Sequence, residues 1–346
     1  MWSALRFAIC LLALCGNLFA PSVAAQLANS ERTLTLVAVG DILLDRGVAR
    51  QIERFGIDYP FAHVKSILTS ADVAFGNLEG PLARKCSPAE KRFRFQAKPR
   101  YVQTLVNGGI DIVLLANNHS TDCGQTGLRE TMNNLNRVGI RWCGAGDTSA
   151  EAGSVTVIEK NGIRIGFVGF SEFMPSYSRS NLNQAGIAFA SEASVRSSVK
   201  EARRRVDIVI ASFHWGAEYS SRPQEKEIGL ARVAVEAGAD LVLGHHPHVL
   251  QGLQTVLTKS GTVTRRSLVA YSLGNFIFDS PRGWNRRMNE STILRYTFSK
   301  NGLVSFEAIP VVIDGYRPRP GNEAESKSIL TRLDELSSEL NAKQLP

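Results

Sequence analysis

Three of the six histidines in this 346-residue sequence stand within four positions, in GHHPHVLQG at residues 244–252. They are His245, His246 and His248. Crowded imidazoles repel one another when charged, so a cluster like this is best used neutral, as ligands of a cation. Further oxygen and imidazole donors follow other apolar runs: Asp41 after LVAVG, Asn77 and Glu79 in GNLEG, Asn117, Asn118 and His119 in LANNH, His214 in FHWGAEY, and Asn275 then Asp279 in YSLGNFIFD. No thiolate is among them. A mixed oxygen and nitrogen donor set suits a divalent ion such as Mn, Zn, Fe or Mg rather than a soft metal. The donors outnumber the four that one tetrahedral ion takes, so one or two ions are both open. Two ions about 3.5–4 Å apart clamp the attacking and leaving oxygens of a phosphoryl transfer, and bound water with its pKa lowered to about 7 supplies the nucleophile. Singly, each residue has an ordinary structural reading: a strand-end aspartate caps a turn, and a lone His214 fills a core. Their recurrence at successive strand ends is what raises the set above its parts.

The elements that must position these residues alternate along the chain. TLTLVAVG (33–40), DVAFGN (72–77), DIVLLAN (111–117), DIVIASFHW (207–215) and DLVLGHH (240–246) are short β-branched apolar runs, each predicting a buried strand. Between them, 58–71 predicts a helix entered at Pro60, and 98–109, 193–205 and 223–238 predict three more. The glycines before Asp111 and Asp240 suit left-handed helix C-caps. Near-continuous apolar strands alternating with helices predict a largely parallel sheet covered on both faces. Asn161-Gly162 and Asn301-Gly302 add hairpin signals, and TVLTKSGTVTRRSLVAYSLGNF a third hairpin, so the expectation is α/β with mixed sheets, packed as a pair. In open α/β sheets ligands bind outside the carboxyl ends of the strands, which is where every donor above falls. Residues 171–195 lack periodicity and are the candidate lid or insertion.

Composition bounds the rest. Apolar content of 44% and charged content of 21% are those of an ordinary globular chain long enough for a sizeable core. The start has the order of a secretory signal peptide: Arg6, an apolar run to Cys15, then Val23-Ala24-Ala25 before Gln26. The expected domains are therefore a signal peptide at 1–25, the folded body at 26–320 and a polar tail with a helical pattern at 321–346. The exported chain is expected in the periplasm or outside the cell. Cleavage removes one charge and leaves +7, a balance that favours anionic partners, whether polymers or phosphorylated small molecules. No nucleic-acid motif is present. Cleavage also leaves Cys86, Cys123 and Cys143, enough for one disulfide and one thiol; Cys123 with Cys143 is one candidate bridge, and the sequence leaves the pairing open. The basic, aromatic stretch KRFRFQAKPR offers Arg92, Arg94 and Lys98 as anion contacts, and RGWNRR offers Arg286. Glu218, four residues after His214, is placed to orient an imidazole.

GDILLDRG (40–47), GNLEGPL (76–82), LANNHSTDCGQTGL (115–128), FHWGAEY (213–219), GHHPHVLQG (244–252) and YSLGNFIFD (271–279) together resemble the motif series of the CapA family, which is associated with capsule and poly-γ-glutamate biosynthesis. That family in turn resembles the calcineurin-like metallophosphoesterases, which implies a metallophosphatase-like four-layer α/β/β/α sandwich. By this resemblance Asp41, Glu79, Asn118, His214, His246 and His248 are metal ligands and His119 the general acid, with Asn77, His245, Glu218 and Asn275 in auxiliary roles. Two positions depart from the phosphoesterase pattern. Leu43 stands where a histidine ligand belongs, and Asn77 where the aspartate bridging two ions belongs, with Glu79 as its substitute. Two functions follow: a metal-dependent hydrolase acting on an anionic polymer or phosphorylated small molecule, or a non-catalytic factor that binds polymer or a membrane-bound capsule synthase complex.

Overall fold

The computed structural model describes residues 32–86, 93–173, 184–260, 263–279 and 286–342. The expected signal segment, Arg92 and the middle of the candidate lid (174–183) lie outside the described residues.

In chain order the strands are β1 (Leu34–Ile42), β2 (Val73–Leu78), β3 (Ile112–Leu114), β4 (Arg141–Cys143), β5 (Ala145–Gly146), β6 (Thr156–Lys160), β7 (Ile163–Ser171), β8 (Gly186–Ile187), β9 (Ile208–His214), β10 (Leu241–His245), β11 (Leu253–Ser260), β12 (Val263–Ala270), β13 (Asn275–Ile277), β14 (Glu290–Ser299), β15 (Gly302–Asp314) and β16 (Arg317–Pro320). The α-helices are α1 (Arg46–Phe55), α2 (Lys65–Thr69), α3 (Val102–Gly108), α4 (Gly124–Arg137), α5 (Ser149–Ala152), α6 (Glu192–Arg205), α7 (Glu225–Ala237) and α8 (Glu323–Ala342).

Two mixed sheets form the centre. One runs β16-β15-β14-β1-β2-β3-β4, with β13 against the end of β1; the other runs β11-β12-β10-β9-β7-β6. β1 through β4 are parallel, as are β7, β9, β10 and β12, and the antiparallel hairpins extend the edges. Side chains of β9 alternate. Ile208 and Ile210 face the core between the sheets, where Phe75 of one sheet stacks on Phe167 of the other with centroids 5.6 Å apart. Val209, Ala211 and Phe213 face the opposite way, onto Val195 and Val199 of α6 and Leu230 and Ala234 of α7. On the first sheet, Val48 and Ile52 of α1, Leu105 of α3 and Leu128 and Leu135 of α4 are buried. Helices cover both outer faces, which makes four layers, α/β/β/α. Strands buried on both faces are apolar along most of their length, hence the uninterrupted LVLG and IVIA runs.

Some expectations need correction. The helix expected over 58–71 is broken into a 3-10 turn, Tyr59–Phe61, and α2, because Val64 leaves the helical backbone at φ −124° and buries its side chain. The cysteine pair is Cys86–Cys123, with Cα atoms 4.2 Å apart, and Cys143 is a buried thiol. Cys143 ends β4 inside the core cluster, so its side chain is committed to packing. The C-terminal helix α8 lies along β11: Leu253 donates its N–H to Ser337, and Gln254 donates to the Leu340 carbonyl. Ile329, Leu333 and Leu336 give it a buried stripe.

Candidate metal centre

Strand register sets the floor of the site. Asp41 of β1 pairs with Asn77 of β2 on one side and Asn275 of β13 on the other, so the three side chains sit level across the sheet. In the second sheet His214 of β9 is level with His245 of β10 and with Ser171 of β7. Two glycines let these ends approach. A Cβ on Gly40 would lie 1.9 Å from the Gly274 carbonyl oxygen, and one on Gly244 1.9 Å from that of Tyr271. Each glycine immediately precedes a donor, Asp41 or His245. Beyond β10 the chain turns sharply: His246 and His248 adopt φ of 99° and 59°, flanking Pro247. Left-handed backbone at two non-glycine residues is costly and persists where surrounding structure enforces it, often at functional sites. Here the Tyr219 N–H donates to the Pro247 carbonyl at 2.8 Å, tying the FHWGAEY loop to the histidine loop.

Five of the six histidines converge; His63 is exposed elsewhere on the surface. Asp41 is fully buried. Its Oδ1 accepts from Asn77 Nδ2 at 2.8 Å, and its Oδ2 lies 3.2 Å from His248 Nδ1 and accepts the His246 backbone N–H at 3.4 Å. His248 Nδ1 is also 2.9 Å from Asn275 Oδ1, and its Nε2 is 3.8 Å from Glu79 Oε1. His119 is built the same way, with Nδ1 2.7 Å from Asp122 Oδ2 and Nε2 3.9 Å from Glu79 Oε1. The Glu79 carboxylate thus lies between two imidazole Nε2 atoms, each ring held from behind by an oxygen acceptor. That backing is what orients an imidazole that binds a metal or moves a proton. His214 lies between amides: Nδ1 is 3.2 Å from Asn77 Nδ2 and Nε2 2.9 Å from Asn118 Oδ1. Among the described residues, His246 Nδ1 and both ring nitrogens of His245 are buried without a hydrogen bond. Two sets of donor atoms lie within 4.8 Å of one another: Asp41, Glu79 and His248, and Glu218, His246 and His248.

Burial pushes His246 down to about 3 and His245 down to about 4, and holds His214 well below its ordinary value with help from neighbouring imidazoles. These three rings are neutral at physiological pH, the form a cation requires. Burial acts downward on His248 too, but the carboxylates of Glu79 and Asp41 outweigh it and raise this ring to about 9. Burial likewise works against ionisation of Asp41, and His248 and His245 more than offset it, so this carboxyl sits below its ordinary value. The donors present, oxygen and neutral imidazole, fit a divalent cation. Aromatic rings wall the cluster: Phe95 stacks on His119 at 4.0 Å, Phe173 lies 4.2 Å from His246, and Phe278 4.7 Å from His248.

The structure therefore gathers Asp41, Asn77, Glu79, Asn118, His119, His214, His245, His246, His248 and Asn275. It places Glu218, exposed, among the donors of His246 and His248, where the sequence suggested only a role in orienting a ring. The anion candidates among the described residues are elsewhere engaged or outward: Lys98 pairs with Glu53 at 3.0 Å, Arg286 lies 3.4 Å from Glu290, and Arg94 is exposed. In the same loop, buried Phe95 is the residue that meets the site. Asp122 is the functional residue the sequence reading passed over. It stands three residues after His119, a spacing that one tight turn closes. Asn117, grouped with the donors in the sequence, donates to Asn77 Oδ1 at 3.0 Å and accepts the His119 N–H.

A buried cluster of this kind at strand carboxyl ends defines a candidate metal centre on a four-layer α/β/β/α protein. The chain belongs to the family described as "Bacterial capsule synthesis protein PGA_cap", which it matches over residues 35–280. It is 31% identical over 307 residues to "Capsule biosynthesis protein CapA" of Bacillus anthracis, covering 86% of this chain and 72% of that one. It is 32% identical over 309 residues to "PGA biosynthesis protein CapA" of Bacillus subtilis, covering 88% and 78%. Among solved structures it aligns with calcineurin-like phosphoesterase YfkN from Bacillus subtilis over 90% of this chain and 100% of that one, at 13% identity and a TM-score of 0.48.

Proposed function

We propose that this chain is a metal-dependent hydrolase acting in capsule or poly-γ-glutamate biosynthesis. Asp41, Glu79 and His248, with His246 and Glu218 alongside, would hold a divalent ion, which when bound would supply Lewis-acid polarisation. His119 donates the proton to the leaving group. The observation that carries this reading is the His119–Asp122 pair: Nδ1 is fixed on a carboxylate while Nε2 is turned toward Glu79. A purely structural histidine does not need a buried carboxylate to set its tautomer and a second carboxylate on its other side. Phe95 stacks on the His119 ring at 4.0 Å and covers one of its faces. The signal-like start and the Cys86–Cys123 disulfide support a site outside the cytoplasm. The names of the Bacillus relatives, which speak of capsule and PGA biosynthesis, support a polymer-related substrate or partner.

The test compares wild type with His119→Ala, both purified without chelators, on aryl phosphoesters and on poly-γ-glutamate. Loss of a positioned general acid costs on the order of 10²–10⁴-fold in turnover, with metal content unchanged. One observation favours the non-catalytic reading: Asn77 stands where the bridging carboxylate of a phosphoesterase is expected. Absent turnover in wild type, with polymer binding that survives His119→Ala, decides for that assembly role.

A further inference from the structure

We infer that the centre holds one ion, because the half of the site that would take a second is closed by its own hydrogen bonds. The inference rests on the metal reading above and follows from groups whose donor and acceptor roles are unambiguous.

Asn117 comes first. Its Oδ1 accepts the backbone N–H of His119 at 3.1 Å, and its Nδ2 donates to the carbonyl of Leu78 at 2.8 Å. A backbone N–H only donates and a carbonyl only accepts, so the orientation of this amide is set. Its Nδ2 therefore also donates to Asn77, and the atom of Asn77 it meets must be Oδ1, at 3.0 Å. That directs Asn77 Nδ2 at Asp41 Oδ1, 2.8 Å away, and at His214 Nδ1, 3.2 Å away. His214 Nδ1 consequently accepts, and the ring proton sits on Nε2, which donates to Asn118 Oδ1 at 2.9 Å. Both nitrogens of His214 are used, and so is the one oxygen of Asn77. An aspartate at position 77 would present two acceptor oxygens and no N–H. An asparagine here does more than omit a bridge: its N–H occupies the lone pair His214 would give to a cation.

The other half is open, but to one ion only. Asn275 Nδ2 donates to the Met288 carbonyl at 3.1 Å, so its Oδ1 faces His248, and Nδ1 of that ring carries a proton. Nε2 is left to face the ion, beside Glu79. Both candidate donor sets, Asp41 with Glu79 and Glu218 with His246, include His248. A single imidazole lone pair serves one cation, so the two sets share an ion rather than hold one each.

Titration of the metal-free full-length protein with Mn²⁺ tests this by calorimetric stoichiometry and by electron paramagnetic resonance. Wild type is expected to bind one equivalent and to show an uncoupled Mn²⁺ spectrum. Asn77→Asp, which removes the N–H and restores a bridging carboxylate, is expected to bind a second equivalent and show exchange coupling. Two coupled equivalents in wild type would overturn the inference and leave the hydrolase reading standing. No binding in wild type would overturn both. If Asn77→Asp fails to fold, the wild-type stoichiometry decides alone.

Discussion

Metal binding by this protein should release a proton and strengthen steeply with pH, and the proton comes from one residue. In the metal-free site His248 titrates at about 9, held up by Glu79 and Asp41 against the downward pull of burial. His246 and His245, at about 3 and about 4, are already neutral at pH 7 and release nothing. Binding at His248 Nε2 requires the neutral ring. At pH 7 the metal-free ring is protonated in about 99% of molecules, so each ion displaces about one proton. Two pH units below its pKa, deprotonating the ring costs about 3 kcal/mol, at about 1.4 kcal/mol per unit. Apparent affinity should therefore rise about tenfold per pH unit from pH 6 to pH 8 and flatten near pH 9. Calorimetry in two buffers of different ionisation enthalpy counts the protons directly. A pH-independent affinity between 6 and 8, or no proton released, would refute the assignment of His248 as the protonated ligand. The same shift has a stability sign. A folded-state pKa raised above 6.5 contributes stability that is full below pH 6.5 and lost as pH rises through about 9. The metal-free protein should thus lose thermal stability across that window, and the loaded protein should lose less.

Asp122→Asn should lower turnover on the order of 10–100-fold by releasing the His119 ring, with metal content and melting temperature near wild type; unchanged turnover would show that the pair does not act. Gly244→Ala places a methyl 1.9 Å from the Tyr271 carbonyl oxygen and should cost about 1–3 kcal/mol in a denaturant melt, together with weaker metal binding, since His245 and His246 follow directly. The Cys86–Cys123 bridge closes a separation of 37 residues, so reduction should cost about 4 kcal/mol by loop entropy and loosen the His119 loop that begins four residues before Cys123. Cys143, buried and with its thiol pushed well above the ordinary range by that burial, should react with a thiol reagent only after unfolding.

Much of this architecture was legible in the sequence because buried strands leave a strong signal. The runs ending at Asp41, Asn77, His214 and His245 are apolar on both faces, and each stops where polar residues begin. What was not legible has identifiable causes. α1 shows only Val48 and Ile52 as its apolar stripe, too short a pattern to stand out between charged residues. α4 opens on Gly124 without a side-chain cap, and its buried face mixes Gly127, Thr131 and Asn134 with Leu128, Met132 and Leu135, which dilutes the hydrophobic pattern. Thr131 and Asn134 are inside because they bond the backbone of Leu82, a long-range contact that no local pattern encodes. The donors could be gathered from strand ends alone, but their division of labour could not. That Asn77 is tied to Asp41, His214 and Asn117, and that Asp122 backs His119, depends on register between strands and on one turn, which are set by packing. The cysteine pairing was open in the sequence for the same reason: spacing cannot say which two cysteines the fold brings to 4.2 Å.

A divalent ion among Asp41, Glu79 and His248 is what the proposed activity requires. Crystals of the full chain soaked in Mn²⁺ and measured at an energy where manganese scatters anomalously test it most directly. An anomalous peak is expected within bonding distance of Glu79 and His248 Nε2, with His214 still bonded to Asn77 and Asn118. A map with no peak there, or with the ion held by His214 and Asn118 instead, would contradict it.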